Sequence, residues 1–117
     1  MAESFLDNPA LSTQKLHCES LYNLGNLYYL KGQYDAIYYY KSKEFLNKTI
    51  EYSKKINYSQ LIGKAYCTMG LLLNILKKYS EARDFFLMDE KICRDGNDKV
   101  GLIATWRNLG STMQYLG

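Results

Sequence analysis

A short apolar pattern built around a glycine occurs three times in this chain. In each copy a large side chain stands four residues before the glycine, an apolar residue stands directly before it, and another large side chain follows three residues later. These spacings place the residues on one stripe of an α-helix. The copies are Leu21, Leu24, Gly25 and Tyr28; Tyr66, Met69, Gly70 and Leu73; and Trp106, Leu109, Gly110 and Met113. Because the glycines are 45 and 40 residues apart, the pattern predicts similar units repeated along the chain.

A second apolar stripe follows each of the first two copies. Gly32 interrupts the first copy, and Tyr34, Ala36 and Tyr40 begin the next stripe. Lys77, Lys78 and Tyr79 follow the second copy, and Ala82 and Phe86 begin the next stripe there. Each complete unit is therefore predicted to be a helix, a tight turn and a second helix, with the glycine where the two helices approach closely.

The repeated pattern resembles the tetratricopeptide repeat (TPR), whose signature is W-x2-L-G-x2-Y…A-x3-F…P. Leu21 replaces the tryptophan, no proline closes the unit, and the matching residues are Leu24, Gly25, Tyr28, Ala36 and Tyr40. The 40-residue spacing and the linker at residues 96–101 are similar to the long-helix subclass of Pins-type G-protein-signalling modulators and kinesin light chains. The resemblance covers residues 16–117. It implies an all-α fold, a right-handed solenoid of antiparallel helix pairs with about five helices and an incomplete last repeat.

The pattern divides the chain into four segments. Residues 1–8 are expected to be a disordered N-terminal segment, with Asn8 as a helix N-cap and Pro9 as the first helical residue. Residues 9–57 form repeat 1, residues 58–97 repeat 2, and residues 98–117 the first helix of repeat 3. Within these, the second helix is expected at about 34–56, with Ser59, Ser80, Gly96 and Asp98 at helix ends.

Repeat 1 is five residues longer than the 40-residue period. Five residues are not a whole number of 3.6-residue helical turns. The sequence therefore predicts either a kink or π-bulge near residues 38–44, or a second helix that is one turn too tall.

The last predicted helix carries apolar residues that a following helix would cover in the family. Trp106 is expected to pack on one side against Phe85 and Phe86. Leu109, Met113 and Leu116 are expected to leave an exposed apolar strip. The chain is then either a fragment of a longer TPR array or covered on this face by self-association or stacking through the C-terminal helix.

Composition argues against several other classes of protein. The net charge is +3, and the three cysteines have neither C-x-x-C spacing nor a clustered histidine, so no metal site or disulfide is predicted. We find no motif of a catalytic nucleophile, a phosphate-binding loop or a calcium loop. No secretion signal and no apolar run long enough to span a bilayer appear. The sequence predicts a cytoplasmic protein that is not an enzyme and has no cofactor, no small-molecule substrate and no membrane contact.

In the TPR family the first helix of each pair lines a concave groove in which a segment of another protein binds. The resemblance therefore implies a protein–protein interaction scaffold that binds a peptide or helix of a partner. The groove residues are assigned as those left free beside the packed stripe of each first helix. They are Tyr22, Asn23, Asn26, Tyr29, Lys64, Cys67, Thr68, Leu71, Asn74, Ile75, Arg107, Asn108, Ser111 and Gln114.

The middle of this predicted groove is apolar. Cys67, Leu71 and Ile75 are spaced by four, on the face of the helix opposite Tyr66, Met69 and Leu73. A ligand with apolar anchors is therefore expected. The pattern also excludes the carboxylate clamp by which some TPR proteins bind chaperone tails, because the lysines and the second asparagine that it requires are missing.

Two alternatives stay open. The chain can be a structural segment of a larger multi-subunit assembly, whose other chains fill the groove. RNA binding is a distant third, based on Lys41, Lys43, Lys48, Lys54 and Lys55 with interleaved tyrosines. Glu44 and Glu51 lie one helical turn from several of these lysines, so a solvated face with local ion pairs explains them better.

Overall fold

The computed structural model describes residues 9–117, and over this range the protein is all-α. Its five helices are α1 (Pro9–Gly32), α2 (Tyr38–Lys55), α3 (Ser59–Ile75), α4 (Tyr79–Asp95) and α5 (Lys99–Leu116), and no strand occurs among the described residues. The expected disorder of residues 1–8 and the Asn8 cap lie outside the described range. The chain forms two compact units, residues 1–61 and 62–117, so their boundary falls in the first turn of α3.

In the first unit, α1 and α2 pack through their small residues. A Cβ atom added at Gly25 would lie 2.9 Å from Leu46 Cδ2, and Leu46 is fully buried. Ser42 Oγ donates a hydrogen bond of 2.7 Å to the Gly25 carbonyl oxygen. The contacts move forward along α2 as they move back along α1, since Gly32 meets Tyr39.

An aromatic stack covers the side of this helix pair. The Tyr28 ring lies between those of Tyr38 and Phe45, with centroid distances of 5.9 and 5.6 Å. Leu24, which the sequence pattern places on the packed stripe, is 39% exposed. The packed face of α1 is therefore narrower than its apolar pattern.

In the second unit, α4 packs against both α3 and α5. A Cβ atom added at Gly70 would lie only 2.5 Å from the ring of the fully buried Phe86. The Tyr66 and Phe85 rings are 5.9 Å apart. Met69 and Leu73 are also buried, which confirms the core stripe predicted for α3.

Three of the helices end in the same way. Asn57, Lys77 and Asn97 adopt positive φ angles of 55°, 62° and 53°, and they follow one another at intervals of 20 residues. In each case the next amide bonds back to a carbonyl in the last turn, as in Tyr58 N to Ser53 O at 2.9 Å. This is the Schellman arrangement, which satisfies carbonyls that the helix end leaves unpaired. These turns give α3, α4 and α5 their common spacing.

The predicted caps are only partly confirmed. Gly96 is the C-cap of α4, although the left-handed residue is Asn97. Asp98 is the N-cap of α5, and its side chain accepts a hydrogen bond of 2.9 Å from Gly101 N. Ser59 is the first residue of α3. The prediction for Ser80 is wrong, because the N-cap of α4 is Lys78.

The five surplus residues of repeat 1 do not distort α2. The predicted kink and the predicted extra turn are both wrong, since α2 is a continuous helix of 18 residues and α4 has 17. Instead α1 ends two residues later than α3 relative to its central glycine, and the connection at residues 33–37 is two residues longer than that at 76–78. This connection is held by local bonds, such as Tyr34 N to Lys31 O at 3.0 Å and Ile37 N to Asp35 Oδ1 at 3.2 Å.

The second helices of the two units bury matching positions. Each carries a small residue, a large apolar residue four positions later, a polar residue three further on, and a small residue four beyond that. All eight are buried, and they are Ser42, Leu46, Thr49 and Ser53 in α2 and Ala82, Phe86, Asp89 and Cys93 in α4. The two sets are 40 residues apart, so the period applies to side-chain environments as well as to helix positions.

Ser53 is the imperfect member of this pattern. Its Oγ atom is buried and has no hydrogen-bond partner. A buried hydroxyl without a partner costs about 1–3 kcal/mol. We expect Ser53→Ala to raise the free energy of unfolding by about 1 kcal/mol, measured by urea unfolding. A lower midpoint for the variant would contradict this, and Ser12→Ala, at an exposed position of α1, is the matched control.

Candidate protein-interaction surface

Two polar contacts join α3 to α5 in the second unit. Asn74 Nδ2 donates a hydrogen bond of 2.9 Å to Thr112 Oγ1, and Asn108 Nδ2 lies 3.7 Å from Cys67 Sγ. The partners are 38 and 41 residues apart, close to the sequence period. The two contacts hold α3 and α5 side by side, and they fix which side chains face outward next to the seam.

The outward side chains form the α3–α5 surface, which we define as Lys64, Leu71, Ile75, Arg107, Ser111 and Gln114. Leu71 is half-buried and Ile75 is 44% exposed. The other four side chains are exposed. The centre of the surface is therefore apolar on α3, with basic residues on both helices and uncharged polar residues on α5.

Charge is sorted between the helices of this unit. Neither α3 nor α5 contains an acidic residue, and together they carry Lys64, Lys99 and Arg107. In contrast, α4 has five acidic and three basic residues. The α3–α5 surface therefore presents positive charge to a ligand, although the net charge of the whole chain is only +3.

Four residues of the predicted groove are turned away from this surface. Thr68 is buried, and its hydroxyl donates a bond of 3.1 Å to Lys64 O. Cys67, Asn74 and Asn108 take part in the contact between α3 and α5. Their polar atoms have partners within the protein, so a ligand would have to displace those partners first.

The predicted groove residues of α1 lie in the first unit and are described separately. Asn23 is exposed, whereas Tyr22, Asn26 and Tyr29 are half-buried. The Tyr29 ring lies 6.2 Å from that of Tyr39, so it packs on the start of α2. Of the four, Asn23 has the most accessible side chain.

Trp106 differs from its prediction. It is 48% exposed, so the expectation that Phe85 and Phe86 bury one side of it is wrong. Its indole Nε1 donates a bond of 2.7 Å to Glu90 Oε2, and the Arg94 guanidinium lies 6.0 Å from its ring. The polar edge of the indole is thereby anchored to α4. As predicted, Met113 and Leu116 form an exposed apolar strip, at 50% and 39% exposure, and Leu109 is half-buried.

Tyr115 was missed by the sequence reasoning. Its ring stacks on that of Tyr79 at 4.6 Å, with an interplanar angle of 5°, and it is 67% exposed. Tyr115 follows Ile75 by 40 residues, so extending the repeat alignment beyond the signature positions would have assigned it to the same surface.

The lysines of α2 occupy a solvated face. Lys48 pairs with Glu44 at 3.5 Å and Lys55 with Glu51 at 4.0 Å, and all four side chains are largely exposed. This confirms the local ion pairs expected from their spacing. Such pairs add little stability.

A buried carboxylate lies between α4 and α5. Asp89 Oδ2 accepts a bond of 3.0 Å from Thr105 Oγ1, and Cys93 Sγ lies 3.8 Å from Oδ1. Burial raises the pKa of Asp89, and the hydrogen bonds from Thr105 and Cys93 only partly oppose this. The protonated form is therefore better suited to the fold than the charged form.

This pKa shift predicts a pH dependence of stability. Because the pKa of Asp89 is higher in the folded than in the unfolded chain, its contribution is full below the unfolded pKa near 4 and is lost as the pH rises through the folded pKa. We expect Asp89→Asn to gain stability relative to the natural chain as the pH is raised from 4 to 7. Urea midpoints at several pH values measure this. A difference that is constant or shrinks with pH would contradict it, and Asp84→Asn, on the exposed face of α4, is the control.

The thiols are poorly suited to nucleophilic chemistry. Cys18 and Cys93 are buried and Cys67 is half-buried, and all three are free. Burial is the main cause that raises the pKa of Cys67 to about 11. The thiolate is the reactive form, so this side chain is mostly a protonated packing group at neutral pH.

Two further searches cover the described residues only. Across 9–117, no group of three or more His, Cys, Asp or Glu side chains is arranged to hold a metal ion. Within the same range, none of the helices is both long enough and apolar enough to cross a membrane.

Comparisons with known proteins add no relative. Neither a protein-family model, nor a curated protein, nor a solved structure matches this chain.

Proposed function

We propose that this chain is a TPR-like protein-interaction scaffold, a right-handed solenoid of antiparallel helix pairs that binds a segment of another protein. The main support is the recurrence of side-chain environments. Gly25 meets Leu46 as Gly70 meets Phe86, and the α3–α5 contacts join residues about one 40-residue period apart. In this proposal the protein is cytoplasmic, has no catalytic activity and uses no cofactor.

The α3–α5 surface is the proposed binding site in the second unit. It combines partly exposed apolar side chains, Leu71 and Ile75, with the flanking cations Lys64 and Arg107. Interface energy is concentrated in a few central contacts that lose water on binding. The ligand that suits this surface is an extended or helical peptide with apolar anchors and acidic residues on either side of them.

Charge should contribute more to the rate of association than to the final affinity, because exposed cations steer an acidic ligand towards the surface. The apolar centre then provides most of the lifetime of the complex. Salt should accordingly slow binding, while loss of an apolar anchor should speed dissociation.

A peptide-display selection against the intact chain tests this proposal. The probe is the most enriched peptide, labelled with a fluorophore, and the reading is its affinity by polarisation. We expect selected peptides to carry apolar and acidic residues. We expect Leu71→Asp and Ile75→Asp each to weaken binding at least about tenfold.

The matched control is Leu87→Asp, which places a charge at an exposed leucine on α4, 46% accessible. Binding should be unchanged in this variant. The proposal fails if the selected peptides bind Leu71→Asp and Ile75→Asp as tightly as the natural chain, or if no peptide is enriched.

The second candidate is a structural segment within a larger assembly. The observation that favours it is the exposed apolar strip of α5, with Trp106 and Met113 about half accessible. A patch of this kind usually marks an interaction surface. Under this reading the strip, and not the α3–α5 surface, makes the main contact with other proteins.

A further inference from the structure

Helices α3 and α5 carry corresponding residues that differ sharply in exposure. Tyr66 is 6% exposed, whereas Trp106, 40 residues later, is 48% exposed. Leu73 is 1% exposed, whereas Met113 is 50% exposed. On α3 these positions are covered by α4. The same face of α5 has no helix over it.

The glycines at the centre of the two faces show the same contrast. At Gly70 an added Cβ atom would meet the Phe86 ring at 2.5 Å, and at Gly25 it would meet Leu46 at 2.9 Å. At Gly110 it would meet nothing within 4 Å. Gly110 is therefore the third position of the same kind, and the space that a large apolar side chain fills at the other two is open.

We propose that the α5 face, defined as Ile103, Trp106, Gly110 and Met113, binds an amphipathic helix of a partner protein. A large apolar side chain of that helix sits on Gly110 as Phe86 sits on Gly70. The α5 face is distinct from the α3–α5 surface, so this inference does not depend on the proposed peptide site.

The chain itself specifies the sequence of the bound helix. Both helices that cover a central glycine have a small residue, a large apolar residue four positions later, a polar residue at the next buried position and a second small residue after that. Ala82, Phe86, Asp89 and Cys93 are the example in the second unit. A helix with this spacing would continue on α5 the packing that α4 makes on α3.

Charge restricts the partner further. Helix α5 contains Lys99 and Arg107 and no acidic residue, so acidic residues beside the apolar stripe of the partner would be favourable. Trp106 is already anchored to Glu90 and Arg94 through its edge. Its ring is thus held in place as a preformed part of the site, which lowers the entropic cost of binding.

The α4 sequence provides a direct probe. A peptide of residues 79–95, acetylated and amidated, carries the required spacing and no tryptophan. A lactam between Asp84 and the lysine of a Met88→Lys substitution, both at exposed positions of α4, holds it helical, because a free helix of this length is marginal in water. Trp106 is the only tryptophan of the protein, so its emission reports directly on the α5 face.

We expect the peptide to shift the Trp106 emission to shorter wavelength in a saturable manner, and calorimetry to give the same affinity. A Phe86→Ala peptide should bind at least about tenfold more weakly. Gly110→Leu in the protein should weaken binding of the parent peptide by at least about tenfold while leaving the melting temperature unchanged, since the leucine occupies the open space.

Three results would overturn the proposal. They are the absence of a saturable shift, equal binding of the two peptides, and equal binding to Gly110→Leu, which would mean that the peptide had instead replaced α4 on Gly70. Sedimentation without peptide is the remaining check. A mass that rises with concentration, is reversed by Gly110→Leu and is unaffected by the peptide would show that a second copy of this chain covers the face.

Discussion

Gly70→Leu should lower the free energy of unfolding by about 2 kcal/mol or more, while Gly110→Leu should leave it unchanged or slightly raised. An added side chain at Gly70 would collide with the ring of Phe86, which is fully buried and cannot move aside. At Gly110 the same side chain would enter open space. Each substitution also gains up to about 1 kcal/mol of helix propensity, since leucine is a better helix former than glycine.

The difference between the two variants therefore isolates the packing contribution. Chemical unfolding of both variants under identical conditions measures it, with the helical content from circular dichroism as a check on the folded state. If Gly70→Leu is as stable as Gly110→Leu, then Gly70 does not lie at a close contact between α3 and α4. The repeated glycine pattern would then have another origin.

Leu73→Asp should destabilise the protein by about 4 kcal/mol or more, because it places an unpaired charge in the core. Leu73 is 1% exposed, and a loss of this size is comparable to the whole stability of a small domain. Leu71→Asp, two residues earlier on the same helix, should change the stability by no more than about 1 kcal/mol, because Leu71 is half-buried beside solvent.

Far-UV circular dichroism and urea unfolding of the two variants test this pair. Their comparison is informative because the substitution, the helix and the distance from the helix ends are nearly the same. If Leu71→Asp unfolds the chain as Leu73→Asp does, Leu71 belongs to the core, and the α3–α5 surface would lose its central apolar anchor.

The helices were predictable from sequence where a local signal defines them. The starts of α3, α4 and α5 follow from short turns at a fixed spacing, and the core stripe of α3 follows from its period. The start of α2 was predicted four residues too early. Tyr34 and Ala36 fit the apolar stripe, but the Asp35 side chain bonds to Ile37 N and keeps these residues in a turn.

The surface was less predictable, because exposure depends on which helix covers which face. Asn74 and Asn108 were expected to face a ligand, yet their amides contact Thr112 and Cys67 across the α3–α5 seam. Polar side chains that pair between helices cannot be distinguished in sequence from polar side chains in water. Trp106 was misplaced for a related reason, since its anchor is a carboxylate, Glu90, and not an aromatic core.

The connection at residues 33–37 determines where this chain can change in length. The other turns are spaced at intervals of 20 residues, so an insertion inside α3 or α4 would rotate every following side chain on the helix away from its partner. The 33–37 connection already holds extra residues without disturbing α2, and Tyr34 at its tip is 95% exposed. An epitope tag or a fluorescent label inserted there should be tolerated, and insertions and deletions in natural variants should accumulate there.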